Sequence, residues 1–132
     1  MTIKQRVFLD IIKQVPYGSN KMAKRDNVVD AYIEELKQDA EAMAQAVAAA
    51  EKKFNRKLNL DDSFDRWIAV CEINERAYGE TREARKWLAE AGYIREWTTK
   101  ARFGYATYHG LTDKGWAVAD RYIALAAKEA TA

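Results

Sequence analysis

Residues 85–115, RKWLAEAGYIREWTTKARFGYATYHGLTDKG, decide the fold because they change from helical to extended periodicity within one short stretch. The apolar residues recur at helical spacing as far as Gly92, whereas 93–99 and 105–111 are rich in aromatic and β-branched residues. The connection between these two runs is short and basic and ends in glycine. The stretch therefore predicts a helix followed by a β-hairpin with a basic tip.

Helices are expected on both sides of this hairpin. The pattern Thr2-Ile3-Lys4-Gln5 is a capping box and predicts a helix from about 3 to 15. Asp26 or Asn27 can cap a second helix, and no residue from Val28 to Phe54 is expected to interrupt it. Thr112 caps a last helix that runs towards the C-terminus.

Two helices are expected between the long helix and the hairpin. The first begins near Ser63, has two apolar sides and is expected to be central and buried, with Gly79 as its end. One of those sides carries Phe64, Trp67, Ile68, Cys71 and Tyr78, and the other carries Val70, Ile73 and Ala77. The second runs from Glu80 to about Ala91 with Ala84, Trp87, Leu88 and Ala91 inside.

The fold class that follows is mainly α with a small β-hairpin. The chain has 132 residues, 48% of them hydrophobic, with one proline and six glycines, which is too few turn residues for a sheet sandwich. We expect two regions. Residues 1–60 form a helical region around the long helix at about 26–54, and residues 61–132 form a compact domain with a C-terminal helix.

The apolar residues of the long helix step by alternating threes and fours, the a/d rhythm of a coiled-coil seam. This pattern favours a dimerisation helix, and the alternative is a helix that packs along its own domain or along helix 64–78. The seam consists of Val29, Ile33, Leu36, Ala40, Met43, Val47, Ala50 and Phe54.

Catalysis has no support in the residue types. The single histidine, His109, and the single cysteine, Cys71, lie far apart in sequence, and no glycine-rich phosphate loop is present. We expect Cys71 to be a small core residue and His109 a packing residue. One cysteine also excludes an internal disulfide and a cysteine-based zinc site. From the residue types together we expect no enzyme, no cofactor and no metal.

The chain near the N-terminus resembles neither a signal peptide nor a membrane span. Lys4 and Arg6 precede an apolar run, but Asp10 and Lys13 interrupt that run. We therefore expect a cytoplasmic protein with no membrane partner. The formal charge of +2 does not by itself indicate a partner.

The run 85–95, followed by the hairpin that ends in Tyr105-Ala106-Thr107-Tyr108-His109-Gly110-Leu111-Thr112-Asp113-Lys114-Gly115, resembles the winged-helix DNA-binding domains of bacterial regulators. It is most similar to the PadR and MarR families, in which a recognition helix ends in L-x-x-x-G-hydrophobic-I and the wing returns through Y-x-L-T-x-K-G. The resemblance spans roughly residues 63–127. It implies a winged helix-turn-helix, and the long helix at about 26–54 is then an N-terminal extension with no counterpart in these families.

The resemblance places helix 80–91 in the major groove of double-stranded DNA, with the hairpin as the wing. It implies DNA contacts from Thr81, Arg82, Arg85 and Lys86 on the outward side of the helix, and from Thr98, Thr99, Lys100 and Arg102 on the wing. Residues 80–115 hold seven Lys and Arg against five Asp and Glu, which accounts for the whole net charge of the chain.

The preferred hypothesis is a small dimeric DNA-binding protein, either a transcriptional regulator or an accessory factor of a mobile element. Dimerisation would come from helix 26–54, the C-terminal helix, or both, and a two-fold dimer would read a palindromic site. The alternative is a winged-helix module that binds another protein, for example to inhibit or assemble a larger machine.

Overall fold

The computed structural model describes residues 1–131, and most of them are helical. Within these residues the order is α1 (Ile3–Lys13), β1 (Ala23–Lys24), α2 (Arg25–Gln38), α3 (Ala40–Phe54), α4 (Ser63–Glu90), β2 (Ile94–Lys100), β3 (Tyr105–Leu111) and α5 (Asp113–Ala130). The expected class, mainly α with a small antiparallel sheet, is confirmed. No helix in this part of the chain is both long and apolar enough to cross a membrane.

Side-chain caps begin α1, α4 and α5 where the sequence predicts them. Thr2 and Gln5 form the reciprocal capping box of α1, and the Thr112 hydroxyl accepts from the Gly115 amide at 3.0 Å at the start of α5. Asp62 accepts from the Asp65 amide at 3.0 Å at the start of α4. These caps satisfy amides that have no partner within the helix itself.

The predicted long helix 26–54 is wrong, because the chain breaks between α2 and α3 at Asp39. This residue has extended backbone angles, φ −89° and ψ 111°, and its carboxylate accepts from the amides of Glu41 and Ala42 at 2.9 and 3.1 Å. Aspartate competes with the helix by binding nearby amides, and here it caps a new helix. The apolar seam is therefore divided between two helices.

The predicted helix end at Gly79 is also wrong. Helix α4 continues through Gly79 from Ser63 to Glu90, and Gly79 has no heavy atom within 4 Å of the position that a Cβ would occupy. A glycine inside a helix costs only about 1 kcal/mol relative to alanine. The buried Ala77 and Thr81, on either side of Gly79, pack against the rest of the chain and hold the helix together.

The face of α4 that was expected to be buried is partly exposed. Phe64 is 59% exposed, Trp67 60% and Tyr78 38%, while the opposite side of this half of the helix packs against α2 and α3. The second predicted apolar side is the covered one, because Ile73 and Ala77 are fully buried.

The predicted hairpin is confirmed, and a third strand joins it. Strand β3 lies between β2 and the two-residue β1, and both pairings are antiparallel. Gly104 closes the turn with φ +79°, and its carbonyl accepts from the Ala101 amide at 2.9 Å. At the other end of the sheet, a Cβ on Gly115 would lie 2.1 Å from the Tyr93 carbonyl oxygen, so only glycine lets α5 start this close to the sheet.

Two groups of buried side chains form the interior. The first joins α1, β1, α2, the second half of α4, the sheet and α5, and the second joins α2, α3 and α4 around Tyr32 and Ile73. The expected division near residue 60 falls in the connection between α3 and α4. The first core contains residues from both sides of that division.

Candidate nucleic-acid interface

The residues predicted to contact DNA on α4 divide into an exposed pair and a buried pair. Arg82 and Lys86 are exposed, whereas Thr81 is fully buried and Arg85 is only 7% exposed. The expected outward position of Thr81 and Arg85 is wrong, because the second half of α4 is covered by α1 and the sheet as well as by α2. Trp87, expected inside, is 44% exposed.

The side chain of Arg85 extends from α4 towards the sheet and contacts His109 of β3. The guanidinium Nη1 donates to the ring Nε2 across 3.3 Å, and both residues are buried. Burial, followed by the charges of Arg85 and Arg25, lowers the pKa of His109 to about 4. The ring is therefore neutral at pH 7 and can accept this hydrogen bond. His109 is a packing residue, as expected.

The buried guanidinium of Arg85 has unused hydrogen-bonding capacity and is influenced by other positively charged groups. Its Nε has no hydrogen-bond partner among residues 1–131. Burial and the charge of Arg25 lower the pKa of Arg85, and Arg82 adds to this effect. Asp26 and Glu96 act in the opposite direction and offset part of the positive charge. The charge of Arg85 is thus opposed by two other guanidinium groups and partly balanced by two carboxylates.

The N-terminus of α2 lies at the same place because β1 leads directly into it. Its N-cap residue is Lys24, which makes no capping hydrogen bond, so the expected cap by Asp26 or Asn27 is wrong. The Asp26 carboxylate instead accepts from Arg25 at 3.2 Å. Uncapped amides and the helix dipole make such an N-terminus attractive to an anion.

The hairpin extends the same side of the sheet towards its tip. Residues paired across two strands have their side chains on the same face of the sheet, and successive residues of one strand point to opposite faces. His109 pairs with Glu96, and Thr98 and Lys100 follow Glu96 at steps of two, so all of them lie on one face. Thr98 and Lys100 are exposed, and the Thr98 hydroxyl lies 3.1 Å from that of Thr107. The hairpin thus places Thr98 and Lys100 on the side of the sheet that Arg85 contacts.

The tip of the hairpin is basic and aromatic. Arg102 is exposed, with its guanidinium carbon 5.5 Å from the ring centre of Phe103, and Phe103 itself is 86% exposed. Thr99, the remaining predicted wing contact, is half-buried. The hairpin therefore presents Lys100 and Arg102 free of any ion pair with the described residues.

Sequence reasoning missed Arg25 and the open end of α2. The only signal was the short run Ala23-Lys24-Arg25, and a two-residue strand has no periodicity to detect. What reveals the site is the pairing of Ala23 with His109, which brings Arg25 beside the buried pair.

The predicted dimerisation residues are mostly covered within the chain. Val29, Ile33, Leu36 and Ala50 are buried, Met43 and Val47 are half-buried, and Ala40 and Phe54 are exposed. Both α2 and α3 pack along α4, which is the alternative that the sequence left open. The buried members of the seam therefore cannot reach a second chain.

An open groove of about 790 Å³ lies on the other side of α4, between that helix and the start of α1. Four of the residues that line it form two contacts: the Lys4 amine lies 4.3 Å from the centre of the Trp87 ring, and Arg76 donates to Glu80 at 2.8 Å. In residues 1–131 no group of three or more metal-ligating side chains is placed to hold a metal ion.

Comparison of the chain with models of protein families, with curated proteins and with solved structures gives no match.

Proposed function

We propose that this chain is a small winged-helix protein that binds the phosphate backbone of double-stranded DNA. The observation that carries the proposal is that Arg25, at the uncapped N-terminus of α2, follows the strand that pairs with His109, the hydrogen-bond partner of Arg85. The hairpin on the same side of the sheet has a basic tip. Phosphate groups are the ligands that helix N-termini and guanidinium groups share.

The order of the elements supports a winged-helix arrangement. A helix, a short strand, further helices and a hairpin follow one another, and the short strand pairs with the second strand of the hairpin. The long α4 would then supply the recognition helix from its second half. Its first half, together with α3, is an addition to the minimal domain.

The exposed cations have distinct roles in this proposal. Arg82 and Lys86 on α4 would approach the groove, and Lys100 and Arg102 would hold the backbone beside it. Arg85, being buried, would act by keeping positive charge at the junction of α2, α4 and β3, and Thr81 would serve packing alone.

One observation favours the second candidate, a winged-helix module that binds another protein. The hairpin exposes Phe103, Tyr105 and Trp97 at 86, 75 and 56%, and exposed aromatic side chains are enriched at protein interfaces. In the DNA-binding proposal the same aromatic residues are available to stack on bases.

Binding of labelled duplex DNA, followed by fluorescence anisotropy at low salt, tests the proposal. The double variant Lys100→Ala/Arg102→Ala should weaken binding severalfold because two backbone contacts are lost. Lys52→Ala/Lys57→Ala removes the same charge from exposed positions in α3 and the following connection, and should bind like the wild type. Equal loss in both variants, or no wild-type binding, would contradict the proposal and favour the protein-binding module.

A further inference from the structure

Helix α4 carries an aromatic stripe with no partner in its own chain. Phe64, Trp67, Cys71, Asn74 and Tyr78 follow one another at steps of three and four, the spacing of a coiled-coil seam. The two aromatic rings at its start are about 60% exposed and lie 5.8 Å apart, and Tyr78 is 38% exposed. The stripe is about 21 Å long, at 1.5 Å per residue.

This stripe faces away from the rest of the molecule. The opposite side of the same turns carries Ala69 and Ile73, which are fully buried, and Ile73 belongs to the second core. Cys71 and Asn74 are half-buried between the exposed rings. A contiguous aromatic face of this kind is a typical interaction surface.

Opposite charges mark the two ends of the stripe. Asp61 and Asp62 precede Phe64 and are exposed, whereas Arg82 and Lys86 follow Tyr78 and are exposed. In the described residues none of these four side chains has an ion-pair partner within 4.0 Å. A partner helix that complements the stripe must therefore be basic where α4 begins and acidic where the stripe ends.

We propose that the partner is a second copy of this chain, packed α4 against α4 in antiparallel orientation. The antiparallel pair places Asp61 and Asp62 of each copy at the same end of the contact as Arg82 and Lys86 of the other, whereas a parallel pair would bring like charges together. The attraction is between the charged ends as a whole and does not require ion pairs that would occupy Arg82 and Lys86. The two helix dipoles also favour the antiparallel arrangement. A two-fold axis near Cys71 makes the contact isologous, so that Phe64 of one copy lies near Tyr78 of the other.

Asn74 is the polar residue within this seam. With the two-fold axis near Cys71, Asn74 of one copy lies level with Ile68 of the other, so the two asparagines do not pair. The charged ends of the stripe, rather than Asn74, select the alignment of the two helices. The stripe is also distinct from the seam at 26–54, whose buried members are covered by α4.

The pairing would set the spacing of the two DNA-binding faces, a consequence that rests on the proposed function. Arg82 lies 11 residues beyond Cys71. Two copies centred near Cys71 would therefore hold their Arg82 residues about 33 Å apart along the helix axis. Half-sites one turn of DNA apart are separated by about 34–36 Å.

Sedimentation without DNA tests the dimer separately from DNA binding. At micromolar concentration the wild type should sediment as two chains, and Trp67→Glu should sediment as one. Phe103→Glu places the same charge on an exposed aromatic position outside the stripe and should remain dimeric. A monomeric wild type, or dimers that persist in both Trp67→Glu and Phe64→Glu, would overturn the proposal whatever the DNA result.

Crosslinking through single cysteines tests the orientation. In a Cys71→Ser background, a short bis-maleimide should link Phe64→Cys chains to Tyr78→Cys chains in a mixture. It should not link Phe64→Cys chains to one another, because those positions would be about 21 Å apart in the antiparallel pair. Efficient linkage of Phe64→Cys to itself would indicate a parallel pair and contradict the proposed orientation.

Discussion

Arg85 donates to the Nε2 atom of His109 across 3.3 Å in the interior, where α4 packs on β3. The contact requires a neutral ring, and burial lowers the pKa of His109 from its ordinary 6.5 to about 4. Protonation would place a second positive charge beside a buried guanidinium that already has Arg25 nearby. The pair therefore links the stability of this junction to pH.

The first prediction concerns acid sensitivity. A base whose pKa is lowered on folding contributes stability that is complete above its unfolded pKa of 6.5 and is lost as the pH falls through about 4. His109→Gln keeps an acceptor for Arg85 but cannot titrate, so it should remove about 2 kcal/mol of the stability difference between neutral and mildly acidic pH. Urea unfolding at both pH values measures this difference. If His109→Gln leaves the stability difference between the two pH values unchanged, His109 is not held in a buried, neutral state.

Asp10 should make the stability depend on pH in the opposite direction from His109. Burial and the neighbouring Glu35 raise the pKa of its carboxyl to about 7, so its contribution is complete below the unfolded pKa of 3.8 and is lost as the pH rises through about 7. Asp10→Asn, which is neutral at every pH, should raise the free energy of unfolding at about pH 8 by about 2 kcal/mol. It should have little effect at acidic pH. Destabilisation at both pH values would contradict this reasoning.

Gly79 tests whether α4 is continuous. The residue is exposed within the helix and has open space around the position of a Cβ. Gly79→Ala should therefore stabilise the chain by about 0.5–1 kcal/mol. Gly104→Ala is the control, because φ +79° at the hairpin turn makes any side chain unfavourable there. If α4 ended at Gly79 in a left-handed conformation, Gly79→Ala would destabilise the chain as Gly104→Ala does.

Asp39 tests the break between α2 and α3. Its carboxylate caps α3 through two amides, so Asp39→Ala should lower the free energy of unfolding by about 1 kcal/mol. Asp39→Asn retains an oxygen acceptor and should be close to the wild type. Thermal unfolding of the three proteins provides the comparison. Equal stability of Asp39→Ala and the wild type would mean that the cap contributes nothing.

The sequence predicts the hairpin and most helix starts well because these depend on neighbouring residues. The glycine-ended turn, the β-branched strands, and the caps at Thr2 and Thr112 are local features, and the structure contains each of them. The break at Asp39 is made by a local cap, but an aspartate with the same neighbours can also lie inside a helix. The continuity at Gly79 depends on packing of the buried Ala77 and Thr81 against distant residues. Both local signals were ambiguous, since aspartate can lie inside a helix and glycine need not end one.

Part of the candidate site could not be predicted because it depends on tertiary contacts. Arg85 looked exposed because its neighbours on the helix are charged, but the sheet covers it. The contribution of Arg25 depends on the pairing of Ala23 with His109, which are 86 residues apart in sequence. The exposed hairpin cations, by contrast, were predicted at the right place from the turn alone.

The salt dependence of duplex DNA binding tests the central claim most directly. A plot of the logarithm of the association constant against the logarithm of the salt concentration is a straight line, and each phosphate contact contributes about −0.9 to its slope. With Arg82, Lys86, Lys100 and Arg102 engaged, the wild type should bind at low salt with a slope steeper than about −3. Absence of binding at low salt, or an affinity that does not change with salt, would contradict DNA binding through this face.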